Sequence, residues 1–329
     1  MKILIYTGLL KIVNKSGVGE AVRHQKRVLE LLNLPCTSDI RDGFDIIHLN
    51  TIFPDSLIIS KLAKRKKKKV IYYAHSTMED FQNSFRGSNW IAPLFKKWIT
   101  YCYNSGDLII TPTNYSKELL QTYEIVVPIY SLSNGVDTNF FNPEIERRVA
   151  FREKYHIDNN QKVIISVGHY IERKGILDFV KLAKEMPQYQ FYWFGYTNLS
   201  LVTKEVKDAI QTKLSNLHFP GYVNRCELRD AYNGADLFLF LTNEETEGIV
   251  LLEALATKIP ILVRDIPIYS DWLTDNETVY KAKHLQEFKE RITQLLEGHL
   301  PDLTDAGYQI ALQRDLRKIG QQLLAIYKR

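Results

Sequence analysis

The chain has 329 residues, 45% of them apolar and 25% charged, and Lys plus Arg exceed Asp plus Glu by 43 − 38 = 5. That length suits two domains with cores of ordinary size, and so mild a basic excess is not that of a dedicated nucleic-acid binder. Cys36, Cys102 and Cys226 stand far apart with no CxxC pair, which fits a reducing compartment and no structural zinc.

Ile3–Leu10 is short, contains Tyr6 and Gly8, and lacks a small-residue cleavage site, so it reads as a first strand and not a signal peptide. Within it Lys2–Tyr6 forms the strand, Thr7–Gly17 a long loop, and Val18 to about Leu32 a helix. The intervening Ser16-Gly17-Val18-Gly19 is either a phosphate-approach turn or a plain tight turn. There is no G-x-G-x-x-G, which speaks against a dinucleotide enzyme.

Asp45–Asn50 and Val70–Ala74 read as buried strands, separated by a helix from about Asp55 to Lys64. That helix runs into Lys61–Lys69, where seven of nine residues are basic. Lys64, Arg65, Lys66, Lys67, Lys68 and Lys69 make either a solvated turn or a site for anionic lipid head groups, at roughly 1 kcal/mol per residue near the surface. His75 ends the strand Val70–Ala74. Ligands of open α/β sheets gather at carboxyl ends of strands, so His75 outranks the other histidines as a catalytic candidate. The alternative is a histidine bonded to its own loop. In Trp90–Tyr103, Trp90, Leu94, Trp98 and Tyr101 fall at helical spacing, with Phe95, Lys96 and Lys97 among them. Such a stripe is either core or an interfacial helix, and the nearby basic run favours the interface.

Asp107–Thr111 and Ile129–Leu132 add strands, the latter followed by Ser133-Asn134-Gly135-Val136-Asp137. The charged, weakly apolar stretch Glu144–Gln161 marks a domain boundary. Val163–Val167 restarts the strands, and Gly168–Gly175 leads into a helix. Gln190–Phe194, Leu217–Tyr222, Leu237–Leu241 and Ile261–Val263 continue the pattern. The expectation is an α/β chain with two Rossmann-like sheets facing a cleft, residues 1–145 and 146–305. Asp305–Tyr327 reads as one long helix, so that residues 306–329 return towards the first domain.

The chain is organised around Glu245-Thr246-Glu247-Gly248-Ile249 and the helix that follows. Strand, acidic turn, glycine, helix presents free backbone N–H groups to an anion. Glu245 precedes that helix and Glu253 lies inside it, where carboxylates can accept hydrogen bonds from sugar hydroxyls. The bland alternative is that Glu245 and Glu247 complement the helix dipole.

Four stretches together resemble the retaining GT-B-type glycosyltransferases that use nucleotide sugars. They are Asn134–Asp137 with Phe140 and Phe141, the Arg173-Lys174-Gly175 turn, Phe219–Val223, and Glu245 through Glu253. The resemblance implies that Glu253 holds the donor ribose and Glu245 faces the transferred sugar, with His75 near it. It also implies that Arg173 and Lys174, with backbone at Gly17, Gly248 and Ile249, face the diphosphate, and that Tyr222 and Val223 border the base. One departure is His169, where many relatives carry arginine. The family works without a bound metal, and the UDP-sugar is a substrate and not a cofactor.

Lys15–Gly19 with His24 and Gln25, and Val263–Tyr269 with Asp271–Leu273, resemble bacterial glycolipid synthases that add a second hexose to monoglucosyl-diacylglycerol for lipoteichoic acid anchoring. That resemblance implies a UDP-glucose or UDP-galactose donor, a glycolipid acceptor, and a cytoplasmic enzyme peripheral on the inner face of the cell membrane. The first domain would dock on an anionic surface through Lys64–Lys69, Trp90, Phe95 and Trp98. Rival readings are transfer to a soluble or cell-wall glycan, a UDP-sugar 2-epimerase, and a non-catalytic membrane-associated partner.

Overall fold

The computed structural model describes residues 1–9 and 16–328. Most of the expected Thr7–Gly17 loop, and Lys15 with it, lies outside the described residues. In chain order the first half holds β1 (Ile3–Tyr6), α1 (Gly17–Leu31), β2 (Cys36–Thr37), β3 (Ile46–Leu49), α2 (Pro54–Arg65) and β4 (Lys69–Tyr73). It continues with α3 (Met78–Phe81), α4 (Ser88–Asn104), β5 (Leu108–Thr111), α5 (Asn114–Gln121) and β6 (Ile129–Ser131). These strands form one parallel sheet in the order β2-β1-β3-β4-β5-β6. Ile3 pairs with Ile46 and Tyr6 with Leu49 in its centre.

The second half holds α6 (Ile145–Lys154), β7 (Val163–Val167), α7 (Ile176–Glu185), β8 (Gln190–Phe194), α8 (Lys204–Ile210), β9 (Leu217–Gly221) and α9 (Arg225–Gly234). Then follow β10 (Leu237–Phe240), α10 (Ile249–Ala256), β11 (Ile261–Arg264), β12 (Tyr280–Ala282), α11 (Leu285–Leu296), α12 (Thr304–Gln313) and α13 (Leu316–Tyr327). Its sheet is also parallel, ordered β12-β11-β10-β7-β8-β9, so the winding reverses between β7 and β10. Helices cover both faces of each sheet, which is why runs such as Val163–Val167 are apolar but for Ser166 and buried along their whole length.

Three expectations need correction. β2 and β12, of two and three residues, are too short to leave a period in the sequence. Glu144–Gln161 contains α6, which buries only Phe151 and Arg152 and so lacks an apolar stripe. The terminal segment is two helices and not one. Val136 N–H donates to Arg314 O at 3.0 Å and Leu316 N–H to Val136 O at 3.2 Å, and this exchange replaces helical bonds at Arg314–Asp315. Beyond that break α13 buries Leu316, Ile319, Leu323, Ile326 and Tyr327 against Ile3, Ile5, Val22 and Val28 of the first sheet's core.

The expected lipid-facing segments divide. Trp90 is 88% and Leu94 68% exposed, and Ile91 and Tyr101 are also exposed. Trp98 and Phe95 do not join them: both pack on the first domain's core. The Trp98 indole N–H donates to Ile52 O at 2.8 Å, and Phe95 stacks on Phe81 with ring centroids 4.1 Å apart. In the basic turn, Lys64 pairs with Asp107 at 3.2 Å, Lys68 with Asp45 at 3.9 Å, and Lys69 donates to Tyr327 O at 3.2 Å. Arg65, Lys66 and Lys67 are exposed. The turn lies by the far end of α4, since Lys64 also donates to Gly106 O at 3.0 Å. The 17 residues of α4 span about 25 Å at the usual helical rise, so Trp90 and the basic turn lie near opposite ends of this helix.

Candidate active site

The donor-facing architecture follows from the winding reversal, where open α/β sheets take their ligands. β10 ends at Phe240 and the chain turns through the acidic stretch into α10. Gly248 closes that turn with φ +87°, and a Cβ there would lie 3.1 Å from the Phe240 ring. No side chain caps α10, so its first-turn N–H groups are left for an anion. The turn after β7 is drawn against the same place: at Gly175, φ +81°, a Cβ would fall 2.3 Å from Leu241 O, so only glycine fits. Between the two turns and the first domain lies a cavity of about 320 Å³.

Gly17, His75, Arg173, Lys174, Tyr222, Val223, Glu245, Gly248, Ile249 and Glu253 all line that cavity, so the structure brings together every donor-side residue nominated from sequence. Their environments differ. Lys174 Nζ pairs with Glu245 Oε1, a carboxylate only 6% exposed. Burial pushes the Lys174 ammonium down while Glu245 pulls it up. Arg173 is turned towards the first domain instead. Its Nη1 pairs with Asp80 Oδ1 at 2.8 Å and donates to Glu244 O at 2.6 Å, and its Nε donates to Ser84 Oγ at 3.1 Å. The guanidinium expected on a diphosphate thus also joins the two domains, while Lys174 lines the cavity together with Arg23, Arg173 and Arg225. His169 donates from Nδ1 to Tyr196 O at 2.8 Å, and burial holds its pKa below the usual value.

Glu253, in the second turn of α10, is 3% exposed and accepts from Tyr232 Oη at 3.0 Å. Burial raises its pKa to about 8, with the Glu20 carboxylate of α1 adding to the rise. Glu20 in turn pairs with Arg225 of the second domain at 2.9 Å and with Arg23 at 2.7 Å. His75 bonds through Nε2 to Asn50 Oδ1 at 2.9 Å, a partner at the end of the neighbouring strand and not in its own loop. Burial pushes it down to about 4, so the ring is neutral near pH 7.

Glu247 has a task that the dipole reading missed. It accepts from Ser133 Oγ, from Asn134 N–H at 2.9 Å and from Asn134 Nδ2 at 2.8 Å. Thr113 and Ser116 hydroxyls donate to Thr246 O at 3.0 and 3.1 Å, and Tyr115 Oη to Glu244 Oε1 at 3.0 Å. The acidic turn is thus pinned to the first domain on one side while it offers Glu245 to the cavity on the other. Asp80, Glu20 and Asn50 escaped the sequence reading because none stands in a motif. Only the placement of Asn50 at the carboxyl end of β3, of Glu20 in the first turn of α1 and of Asp80 in α3 beyond β4 could have singled them out. Among the described residues, no group of three or more His, Cys, Asp or Glu is placed to hold a metal ion, and no helix is long and apolar enough to cross a membrane.

The family described as Glycosyl transferases group 1 matches residues 148–312, and Glycosyltransferase Family 4 matches residues 23–140. The processive diacylglycerol alpha-glucosyltransferase of Acholeplasma laidlawii is 41% identical, over 100% of this chain and 98% of its own. The chain belongs to the group 1 glycosyl transferases. A second relative of the transferase, the alpha-galactosylglucosyldiacylglycerol synthase of Streptococcus pneumoniae, is 26% identical over 95% of this chain and 86% of its own. The crystal structure of Anabaena HepE in complex with UDP-glucose superposes with a TM-score of 0.78 at 16% identity, covering 100% of this chain and 99% of that one. The transferase therefore has the GT-B fold, with two Rossmann-like sheets and a terminal helix that crosses back to the first.

Proposed function

We propose that the transferase moves a hexose, glucose in the first instance, from UDP to a glucosyl-diacylglycerol acceptor with retention of the anomeric configuration. One observation carries the donor half. A single cavity at the winding reversal combines an uncapped helix N-terminus and Lys174 for a diphosphate with the buried Glu253 for ribose hydroxyls. Departure of UDP needs positive charge and oriented dipoles where charge develops, and those two elements supply them. Glu245 then lies against the hexose, and its pairing with Lys174 would yield as the diphosphate takes the ammonium. Tyr222 and Val223 border the base, and Arg173 holds the domains together.

Support for the acceptor comes from the relatives, both named for glycosylated diacylglycerols, and from the exposed Trp90, Ile91 and Leu94 on α4. The glucose in UDP-glucose is α-linked, so the alpha-glucosyl product named for the 41% relative corresponds to retention. We assign residues 1–145 to the acceptor and membrane, residues 146–305 to the donor, and the place of work to the cytoplasmic membrane surface. Galactose is the second reading, favoured by the galactosyl product named for the 26% relative. The test is incubation with UDP-glucose or UDP-galactose, with and without vesicles containing glucosyl-diacylglycerol. An α-linked diglycosyl lipid formed from UDP-glucose is the expected result. UDP released equally without acceptor, or a β-linked product, overturns the proposal.

A further inference from the structure

Beneath the donor cavity the first domain buries a chain of polar side chains that the transfer chemistry does not use. Asn50 follows β3, Gln25 sits on α1, His48 on β3, and Tyr327 is the last residue of α13, all of them buried. Gln25 Nε2 donates to Asn50 Oδ1 at 2.6 Å, and Asn50 Nδ2 returns a bond to Gln25 Oε1 at 3.0 Å. His48 Nδ1 lies 3.3 Å from the same Gln25 Oε1, and Tyr327 Oη lies 2.7 Å from His48 Nε2. At the cavity end stands His75 Nε2, 2.9 Å from Asn50 Oδ1.

Proton positions follow from this arrangement. Both amide oxygens are acceptors, so each histidine brings a proton to the atom that meets one: His48 at Nδ1, His75 at Nε2. Burial keeps both rings neutral near pH 7. His48 Nε2 is then a bare lone pair and accepts a hydrogen bond from the Tyr327 hydroxyl. His75 is left with its lone pair at Nδ1. An unmade bond inside such a network carries the full desolvation cost of the orphaned group, so the proton order is held as a unit.

We infer that Asn50, Gln25, His48 and Tyr327 are positioning residues that fix the tautomer and ring orientation of His75, so that it meets the donor hexose as a neutral hydrogen-bond acceptor. The inference rests on the donor-site reading above, in which Glu245 lies against the hexose, and adds that a hexose hydroxyl meets His75, which lines the same cavity. It makes the chain's terminal helix part of the site's working geometry, because Tyr327 supplies the proton that sets the order at the far end.

The test uses the full chain with UDP-glucose and acceptor vesicles. His75→Ala is expected to lower kcat by roughly a hundredfold, Asn50→Leu by roughly tenfold and Tyr327→Phe by a few-fold, with the donor KM little changed. In the His75→Ala background the other two substitutions should have no further effect on kcat. Imidazole ¹⁵N shifts should report one His75 tautomer, protonated at Nε2, in the wild type and a mixture in Asn50→Leu. If His75→Ala leaves turnover intact, the donor-site reading fails. If His75→Ala is slow but Asn50→Leu and Tyr327→Phe, folded by circular dichroism, keep wild-type kcat, the positioning inference alone fails. Effects that persist in the His75→Ala background, or a wild-type His75 protonated at Nδ1, overturn it as well.

Discussion

Glu253→Gln isolates what a buried carboxylate costs the free enzyme. Glu253 is 3% exposed, has Tyr232 as its hydrogen-bond donor, and makes no direct ion pair among the described residues. Its pKa in the fold is about 8 against an ordinary 4.5. A carboxyl raised in the folded state gives its full stability below the ordinary value and loses it as pH climbs through the window between the two. At pH 7 the wild type has already lost about 3 kcal/mol, that being 2.5 units at 1.36 kcal/mol each. Glutamine keeps the shape and can still accept from Tyr232 but carries no charge at any pH. The variant should therefore match wild-type melting near pH 4.5 and exceed it by a growing margin up to pH 8. Differential scanning fluorimetry across pH 4.5–9 reads this directly. The same variant should bind UDP more weakly, because ribose hydroxyls lose a charge-assisted acceptor, on the order of 1.5–3 kcal/mol by calorimetry. Wild-type UDP binding near pH 7 should release a proton, detectable by repeating the titration in buffers of different ionisation enthalpy. A melting difference that stays flat from pH 4.5 to 8 refutes the account of Glu253's environment, and unchanged UDP affinity refutes its ribose role.

Lys174→Ala should reduce kcat strongly, because leaving-group charge grows only in the transition state. It should also destabilise by roughly 3–5 kcal/mol by stranding the buried Glu245, measurable by denaturant titration; normal turnover at saturating UDP-glucose sinks the assignment. Glu247→Ala removes three cross-domain hydrogen bonds, so small-angle scattering should show a wider domain separation, and an unchanged profile would contradict its pinning role. Trp90→Ser with Leu94→Ser should weaken sedimentation with phosphatidylglycerol vesicles at both low and high salt, since apolar contact does not depend on screening. Ser at Arg65, Lys66 and Lys67 should weaken it at low salt alone, and wild-type protein that stays in the supernatant at low salt removes the membrane reading. Trp98→Ser is expected to lower the melting temperature, because Trp98 is packed on the core.

Much of the donor site was legible because its chemistry is local in sequence. Gly248 and Gly175 mark turns between a strand and a helix that a short stretch reveals, and Lys174, Glu245 and Glu253 stand within a few residues of those turns. What joins the domains was not legible. Arg173 looked like a phosphate ligand from its place beside Lys174, and only the packed structure shows Asp80 and Ser84 already on its guanidinium. Trp98 and Trp90 share a helical stripe, yet one packs inward and the other faces out. The stripe is wider than the buried arc, and the sequence carries no mark of where Ile52 O lies. The Arg314–Asp315 break escaped notice because neither residue is a helix breaker; a strand-like bridge to Val136, nearly 180 residues earlier, interrupts the helix.

The return of α13 has a consequence for how the molecule is made. The core of the first sheet includes Leu316, Ile319, Leu323, Ile326 and Tyr327, while the clusters of the second sheet draw on residues from Val136 to Ala311. On the ribosome, the first sheet cannot close its own core until Leu316–Tyr327 have left the exit tunnel. The second domain lacks that dependence and can finish sooner, inverting the usual amino-to-carboxyl order of co-translational folding. Until then β1 and α1 wait with an uncovered apolar face, so nascent chains stalled before Leu316 should be the ones that engage chaperones, and fusions that crowd Tyr327 should lower the yield of the whole enzyme.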